Sequence, residues 1–458
     1  MAAFVTIVGE ARVLTDESAC EQYGLDWTRF YAPDPSAVLL PGSIEEVQDI
    51  VRLAAKHKLA IVPSGGRTGL SAGAVAANGE LVLALDRLNT ISDFNPVDRT
   101  VRCGAGVITE QLQQFAEEQD LYYPVDFASA GSSQIGGNIA TNAGGIKVIK
   151  HGMTRDWVAG LKLVTGTGEL LDLNRGLMKN NAGYDLRQLA IGAEGTLGVV
   201  VEATMSLTRT PKNLAVLVLG APDMQAIMHV LATFQSEIEL SAFEFFSELA
   251  LEKVVAHQDL PRPFETVCDY YALLEFEQPD DQAMDDAMRL FEHCMEQGWV
   301  YDGTVSQSLA QAQNLWRLRE DISETITPWT PYKNDISTLI AKVPDFLAEV
   351  EAVVNKHYPN FEIVWFGHIG DGNVHLNILK PEDLPIDEFK IQCGEVSTWV
   401  FEIVQRYGGS VSAEHGVGLL KKEYLEYSRS PVEIEMMRGI KKVFDPQGIM
   451  NPGKIFDL

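Results

Sequence analysis

Residues 43–73, SIEEVQDIVRLAAKHKLAIVPSGGRTGLSAG, constrain the fold most, because they pass from helix to buried strand to glycine loop in one short span. Ser43 with Glu46 three positions later is a capping box. Val47, Ile50, Val51 and Ala54 then fall on one helical face. LAIVP reads as a buried strand that opens into SGGRTG. The alternation continues through TVRCGAG and ITEQLQQFAEEQ. VAGLKLVTGTGELLDL (158–173) is a hairpin turning at Gly166–Gly168, and EGTLGVVVEATMSL (194–207) is a further β segment. Such a succession requires a mixed α+β unit up to about residue 205.

From about residue 213 strands alternate with longer amphipathic helices. VPDFLAEVEAVVNKH (343–357) is the clearest, with Pro344 in its first turn and Phe346, Leu347, Val350, Val353 and Val354 as its buried stripe. A chain of 458 residues exceeds one ordinary core, so two or three domains are expected. Apolar runs such as LAVLVLGA (214–221) fall well short of the roughly 20 residues that span a bilayer. The N-terminal stretch has no basic start followed by a long apolar run, so no secretory leader is expected. Cys20, Cys103, Cys268, Cys294 and Cys393 are scattered without a CxxC pair and read as reduced thiols of a cytoplasmic protein. The net charge of −28 disfavours nucleic acid and anionic lipid, and it requires any anionic substrate to find cations within its own site.

PSGGRTGLSAG (63–73) and SSQIGGNIATNAGG (132–145) are glycine-rich loops beside strand and helix signals. Bare backbone of this kind approaches a phosphate closely and offers it clustered N–H donors. GAGVIT (104–109) begins like a dinucleotide fingerprint, but Thr109 replaces its third glycine, so it reads as a strand–helix turn. A non-Rossmann dinucleotide site is therefore favoured.

PSGGRTGLSAG, IGGNIATNAGG and GAEGTLGVVVEATMSL together resemble the flavin-binding domain of the vanillyl-alcohol oxidase superfamily, also called PCMH-type. The resemblance implies FAD wrapped at its pyrophosphate by Pro63, Gly65, Gly66, Arg67, Thr68 and Gly69. Gly136, Gly137, Asn138, Thr141, Asn142, Gly144 and Gly145 would line the pyrophosphate and ring, with Glu194, Gly198 and Val199 as further contacts. Some members tether the flavin to a histidine of the first loop. Arg67 stands there in this chain, so non-covalent FAD is implied.

GHIGDGNVHLNI (367–378) sets His368 and His375 on either side of a Gly-Asp-Gly-Asn turn, so that two β arms can bring both imidazoles to one ion. Asn377 shares a strand face with His375. VSAEHGVG adds Glu414 and His415 after an apolar strand. Two neutral imidazoles and a carboxylate suit a divalent ion such as zinc, although each feature taken alone is more often an ordinary surface or core group.

GHIGDGNVHLNI, AEHGVG and NPGKIF together are similar to the C-terminal half of the FAD-linked 2-hydroxyacid dehydrogenases. RLREDISE (317–324) and PYKNDIS (331–337) most resemble the branch that oxidises D-2-hydroxyglutarate. That resemblance implies His368, His375 and Glu414 as metal ligands and His415 as the base. Arg319, Ser323, Lys333, Asn377 and His415 would contact substrate, with Ser323 where relatives often carry threonine. From its own surroundings Arg319 reads as a helix-surface ion pair.

The implied fold is α+β: a two-subdomain FAD-binding domain (35–210) after an N-terminal extension (1–34), a substrate and metal domain with an antiparallel sheet (211–415), and a C-terminal segment (416–458) returning to the FAD domain. The implied reaction is hydride transfer from a D-2-hydroxyacid to flavin N5, with D-malate as a second substrate. Electrons would pass to an electron-transfer flavoprotein or a quinone, and a homodimer is among the assemblies the chain allows. A D-lactate or glycolate dehydrogenase, a non-catalytic flavin carrier subunit and a flavin-free metal hydrolase stay as alternatives.

Overall fold

A computed structural model describes the whole chain, Met1–Leu458, as two compact units. The first comprises Met1–Gly144, Gly152–Thr210 and Glu414–Leu458; the second comprises Gly145–His151 and Pro211–Ala413.

The first unit is built on two sheets. One contains strands Val13–Leu14, Ala37–Leu39, Leu81–Ala84 and Ile61–Ser64, the last three paired in parallel. Helix Ile44–His57 connects two of these strands. Ser43 Oγ accepts the N–H of Glu46, while the Glu46 carboxylate reaches one residue further back than a capping box requires and accepts the Gly42 N–H at 2.6 Å. Val47, Ile50, Val51 and Ala54 are completely buried, as the spacing predicts. The other sheet is antiparallel, in the order Ile91–Asn95, Thr100–Gly104, Gly198–Ser206, Val158–Thr165 and Leu170–Leu173. Strand Thr100–Gly104 lies in this antiparallel sheet, so GAGVIT is a strand–helix turn and not a parallel-sheet nucleotide fingerprint. A Cβ on Gly104 would stand 2.1 Å from the Leu88 carbonyl oxygen, so packing accounts for that glycine.

Glu414–Leu458 folds with the first unit, and buried polar groups fasten it there. Lys441 Nζ donates to the carbonyls of Thr196 and Met450 and to Asp445. Asn451 Nδ2 donates to the carbonyls of Gly73 and Glu194, and Lys454 Nζ to that of Val75. A buried lysine or asparagine persists only when its donors are met, so these contacts specify where the segment lies.

The second unit is a seven-stranded antiparallel sheet. Its order is Asp302–Val305, Leu214–Ala221, Tyr270–Glu277, Leu240–Ser247, Glu362–Gly367, Asn373–Leu379 and Tyr332–Ser337. Helices including Leu309–Glu320 and Val343–His357 accompany it. In the latter, Phe346, Leu347, Val350 and Val354 are buried as predicted, whereas Val353 sits at the edge of the stripe and is only partly covered. No helix is long and apolar enough to cross a membrane, and all five cysteines are unpaired.

Candidate active site

Within the first unit the two glycine loops meet backbone to backbone. A Cβ on Gly66 would lie 2.3 Å from the Ser132 carbonyl oxygen, and one on Gly65 3.6 Å from Gly137 Cα. Gly137 itself faces open space. The backbone amides of Gly66, Arg67, Thr68 and Gly69 take no partner within the chain, and Gln134 Oε1 is buried without a hydrogen bond beside Gly65. Unpartnered backbone donors beside bare glycine fit the phosphates of a cofactor, whereas Gln134 Oε1 needs a donor from another part of such a ligand. Pro63 lies in strand Ile61–Ser64, one residue before its end, where the strand delivers the first loop.

Several of the expected flavin residues have structural partners. Arg67, at φ 60°, pairs with Asp86 at 2.9 Å and lies over the Tyr23 ring. Asn138 Nδ2 donates to Thr109 Oγ1, Thr141 Oγ1 to the Gly137 carbonyl, and Asn142 Oδ1 accepts from the Arg155 N–H. Gly144 and Gly145 end the second loop, and Gly198 packs against the Val164 carbonyl. Val199 is completely buried, so it presents no surface to a ligand.

Glu194 is also buried. Its carboxylate accepts the N–H groups of Val417 and Gly418 at 2.7 and 2.8 Å. Burial raises its pKa, and those two backbone hydrogen bonds oppose the rise. Leu419 and Leu420 donate their N–H groups to the Ser71 carbonyl. The turn that carries Glu414 and His415 is therefore fastened to the first glycine loop and to Glu194. His415 Nε2 lies 3.8 Å from Glu414 Oε1.

Within the second unit, strands Glu362–Gly367 and Asn373–Leu379 form the hairpin that the Gly-Asp-Gly-Asn sequence predicts. Gly372 has φ 85°, and a Cβ there would meet the Thr338 carbonyl oxygen at 2.2 Å, so the turn demands glycine. The hairpin brings His368 and His375 together, with ring centroids 5.3 Å apart and planes at 83°. His368 Nδ1 is 2.8 Å from Oε1 of Glu244, a residue 1% exposed. A carboxylate only accepts, so a neutral ring in this contact carries its proton on Nδ1. Strand pairing sets Asp335 opposite His375 and Lys333 opposite Asn377, so all four side chains share one face of the sheet. Asp335 Oδ1 is 3.9 Å from His375 Nδ1 and accepts from Asn373 Nδ2 at 2.8 Å. Two imidazoles flanked by buried carboxylates are a donor set that fits a divalent cation.

Arg319 is 5% exposed, so its ion pair is buried, not a surface one. Its Nη2 approaches Glu244 Oε2 to 2.8 Å, off the angle of a hydrogen bond, and its guanidinium lies over the Phe366 ring at 4.7 Å. Lys333 Nζ donates to Ser323 Oγ at 2.8 Å and to the Ser323 carbonyl. The lysine is exposed overall, yet desolvation lowers its pKa. Asn377 is buried, with Nδ2 on the carbonyls of His375 and Val364. Glu244 and Asp335 are not among the site residues expected from the sequence. The signal for Glu244 is a lone acid inside LSAFEFFS, a strand buried along its whole length.

Residues 35–174 match a family model described as FAD binding domain, and residues 210–455 match one described as FAD linked oxidases, C-terminal domain. The chain is 65% identical over 451 residues to D-2-hydroxyglutarate dehydrogenase of Stutzerimonas stutzeri (strain A1501), covering 98% of this chain and 97% of that one. It is 55% identical to the Xanthomonas citri pv. viticola enzyme of the same name (97% and 94% covered) and 34% identical to the mitochondrial one of Rattus norvegicus (99% and 84% covered). Among solved structures it resembles p-cresol methylhydroxylase with substrate bound, with a TM-score of 0.77 at 15% identity, covering 100% of this chain and 96% of that chain. It also resembles 4-ethylphenol oxidase from Gulosibacter chungangensis in its isoeugenol complex, with a TM-score of 0.76 at 18% identity and the same coverage. Those two likenesses establish the PCMH-type α+β fold.

Proposed function

The chain belongs to the FAD-linked oxidases and, among them, to the D-2-hydroxyglutarate dehydrogenases, and from that premise we propose that it oxidises D-2-hydroxyglutarate to its 2-oxoacid, with D-malate as a poorer substrate. It is an FAD-dependent oxidoreductase. The observation that carries the substrate assignment is Lys333, a desolvated cation bonded to Ser323 on the sheet face that also holds His375 and Asn377. In a protein of net charge −28, a dicarboxylate needs cations that the site itself provides.

The roles we assign follow from the side chains. Arg319 and Lys333 hold substrate carboxylates, and Asn377 and Ser323 orient the molecule beside them. His415 accepts the proton of the α-hydroxyl, at a gain of about 10²–10⁴ in rate for such a base. Its Glu414 neighbour and its fastened turn keep the imidazole in place. His368, His375 and Glu414 are the ligands we propose for a divalent ion, zinc by donor type, which would supply Lewis acidity toward the hydroxyl oxygen. FAD, held non-covalently by the two glycine loops, supplies the two-electron acceptor for the hydride that leaves C2. We further propose a cytoplasmic enzyme that hands its electrons to an electron-transfer flavoprotein, or failing that a quinone.

Steady-state kinetics of the purified protein across D-2-hydroxyglutarate, D-malate, D-lactate and glycolate test this reading. The highest kcat/KM belongs to D-2-hydroxyglutarate; a higher value for D-lactate or glycolate refutes the dicarboxylate assignment.

A further inference from the structure

Glu244 is a charged residue at 1% exposure in the middle of strand Leu240–Ser247, every residue of which is buried. A carboxylate taken out of water costs several kcal/mol unless it is paired, so its partners show what it does. One oxygen, Oε1, accepts from His368 Nδ1 at 2.8 Å; the other, Oε2, faces Arg319 Nη2 at 2.8 Å. One side chain thus contacts both a proposed metal ligand and a proposed substrate-binding cation. Phe366 completes the arrangement, because the Arg319 guanidinium lies over its ring while its strand partner is His375. The guanidinium is thereby held flat on one side by an aromatic face and at one end by the acid.

We propose that Glu244 is a positioning residue that couples the ion to the substrate carboxylate, fixing His368 as an Nε2 donor and holding Arg319 in a single orientation. It touches neither substrate nor cofactor in this scheme. It acts through His368 by keeping the Nδ1 proton in place and making the ring a stronger donor, the effect that a carboxylate behind a ligating histidine has in general. It acts through Arg319 by removing the rotamer freedom of a long cation before substrate arrives. The inference rests on the reading of His368 as a ligand and Arg319 as a substrate contact, so its test must separate the two.

Glu244→Gln keeps shape and removes charge. Zinc affinity of the variant, read by competition with a chromophoric chelator, falls about 10–100-fold. The KM for D-2-hydroxyglutarate at saturating zinc rises at least about tenfold, the effect of disturbing one charge-assisted contact, with a smaller change in kcat. Glu244→Gln combined with Arg319→Met removes both charges of the pair, leaves no unpaired cation in the core, and retains the zinc defect. His368→Ala is the reference. If it loses zinc while both Glu244 variants bind the ion as tightly as wild type, the coupling role of Glu244 is overturned and the ligand assignment stands. If His368→Ala keeps wild-type zinc affinity, the ligand assignment falls and the inference falls with it. Should the Glu244 variants not fold, nitrogen-15 spectra of selectively labelled wild-type histidines with and without zinc decide the matter. A protonated Nδ1 and a zinc-shifted Nε2 on His368 support the proposal, and zinc on Nδ1 refutes it.

Discussion

Asp335 stands directly opposite His375 across the antiparallel strand pair, its Oδ1 3.9 Å from the imidazole Nδ1. Asp335 is buried and accepts from Asn373, the residue that closes the turn between His368 and His375. The turn, the acid and the two imidazoles therefore form one preorganised cluster, the condition under which a protein ion site is selective and tight. His375→Ala removes one of the proposed ligands. The protein should retain its yellow FAD spectrum while metal analysis after dialysis finds the ion lost; full metal occupancy in the variant would exclude His375 from the ligand set.

Lys333→Met should raise the KM for D-2-hydroxyglutarate about 10–100-fold, the value of a charge-assisted contact of ~1.5–3 kcal/mol. Turnover of D-lactate, which has no distal carboxylate, should hardly change. Desolvation lowers the Lys333 pKa, so its ammonium loses the proton below the ordinary lysine range as pH rises. The wild-type kcat/KM for the dicarboxylate therefore declines on the alkaline side, and the variant lacks that limb. An identical alkaline limb in wild type and Lys333→Met assigns the titration to another group.

Gly66→Ala drives a methyl carbon to 2.3 Å from the Ser132 carbonyl oxygen and 2.7 Å from Ser133 Cα, both backbone atoms. The two glycine loops must separate, and overpacking of that kind costs ~1–3 kcal/mol. The expected result is FAD binding weakened by about tenfold or more, read from flavin fluorescence on dilution. Gly394→Ala, in a helix with open space around the added carbon, is the control and should be neutral or slightly stabilising.

Lys454 is 2% exposed, and burial lowers its pKa to about 8. The unfolded chain keeps the ordinary lysine value of about 10.4. Between these values the unfolded state binds more protons than the folded state, so this group makes stability rise with pH across that window. Below about pH 8 its burial penalty is complete. Against Lys454→Met, wild type should gain on the order of 3 kcal/mol in unfolding free energy as pH rises from about 8 to 10.4. A difference between the two proteins that stays constant with pH would show that the lysine is not titrating there.

Much of this architecture could be read from local pattern. The stripe Val47, Ile50, Val51 and Ala54 is buried as its spacing dictates, and the glycine turn after His368 folds the hairpin that its residue types demand. Glu244 escaped because a strand covered on both faces shows no alternation that would single out one position, and its partners lie 75 and 124 residues further along the chain. The burial of Arg319 escaped for a related reason. Its helix carries acids at surface spacing, such as Asp321 against Arg317, so nothing local distinguishes the arginine that is buried from the one that is exposed. Asn138 shows the limit at the level of a side chain: the loop motif places it, but only the fold reveals that its amide donates to Thr109.

Reduction of the flavin by D-2-hydroxyglutarate in the absence of oxygen, followed in a stopped-flow spectrometer for wild type and His415→Asn, tests the central claim most directly. Wild type should bleach fully with one equivalent of substrate, and His415→Asn should bind FAD normally yet bleach at least about a hundredfold more slowly. No bleaching of wild type by the D-acid, or an unchanged rate in the variant, would contradict the account.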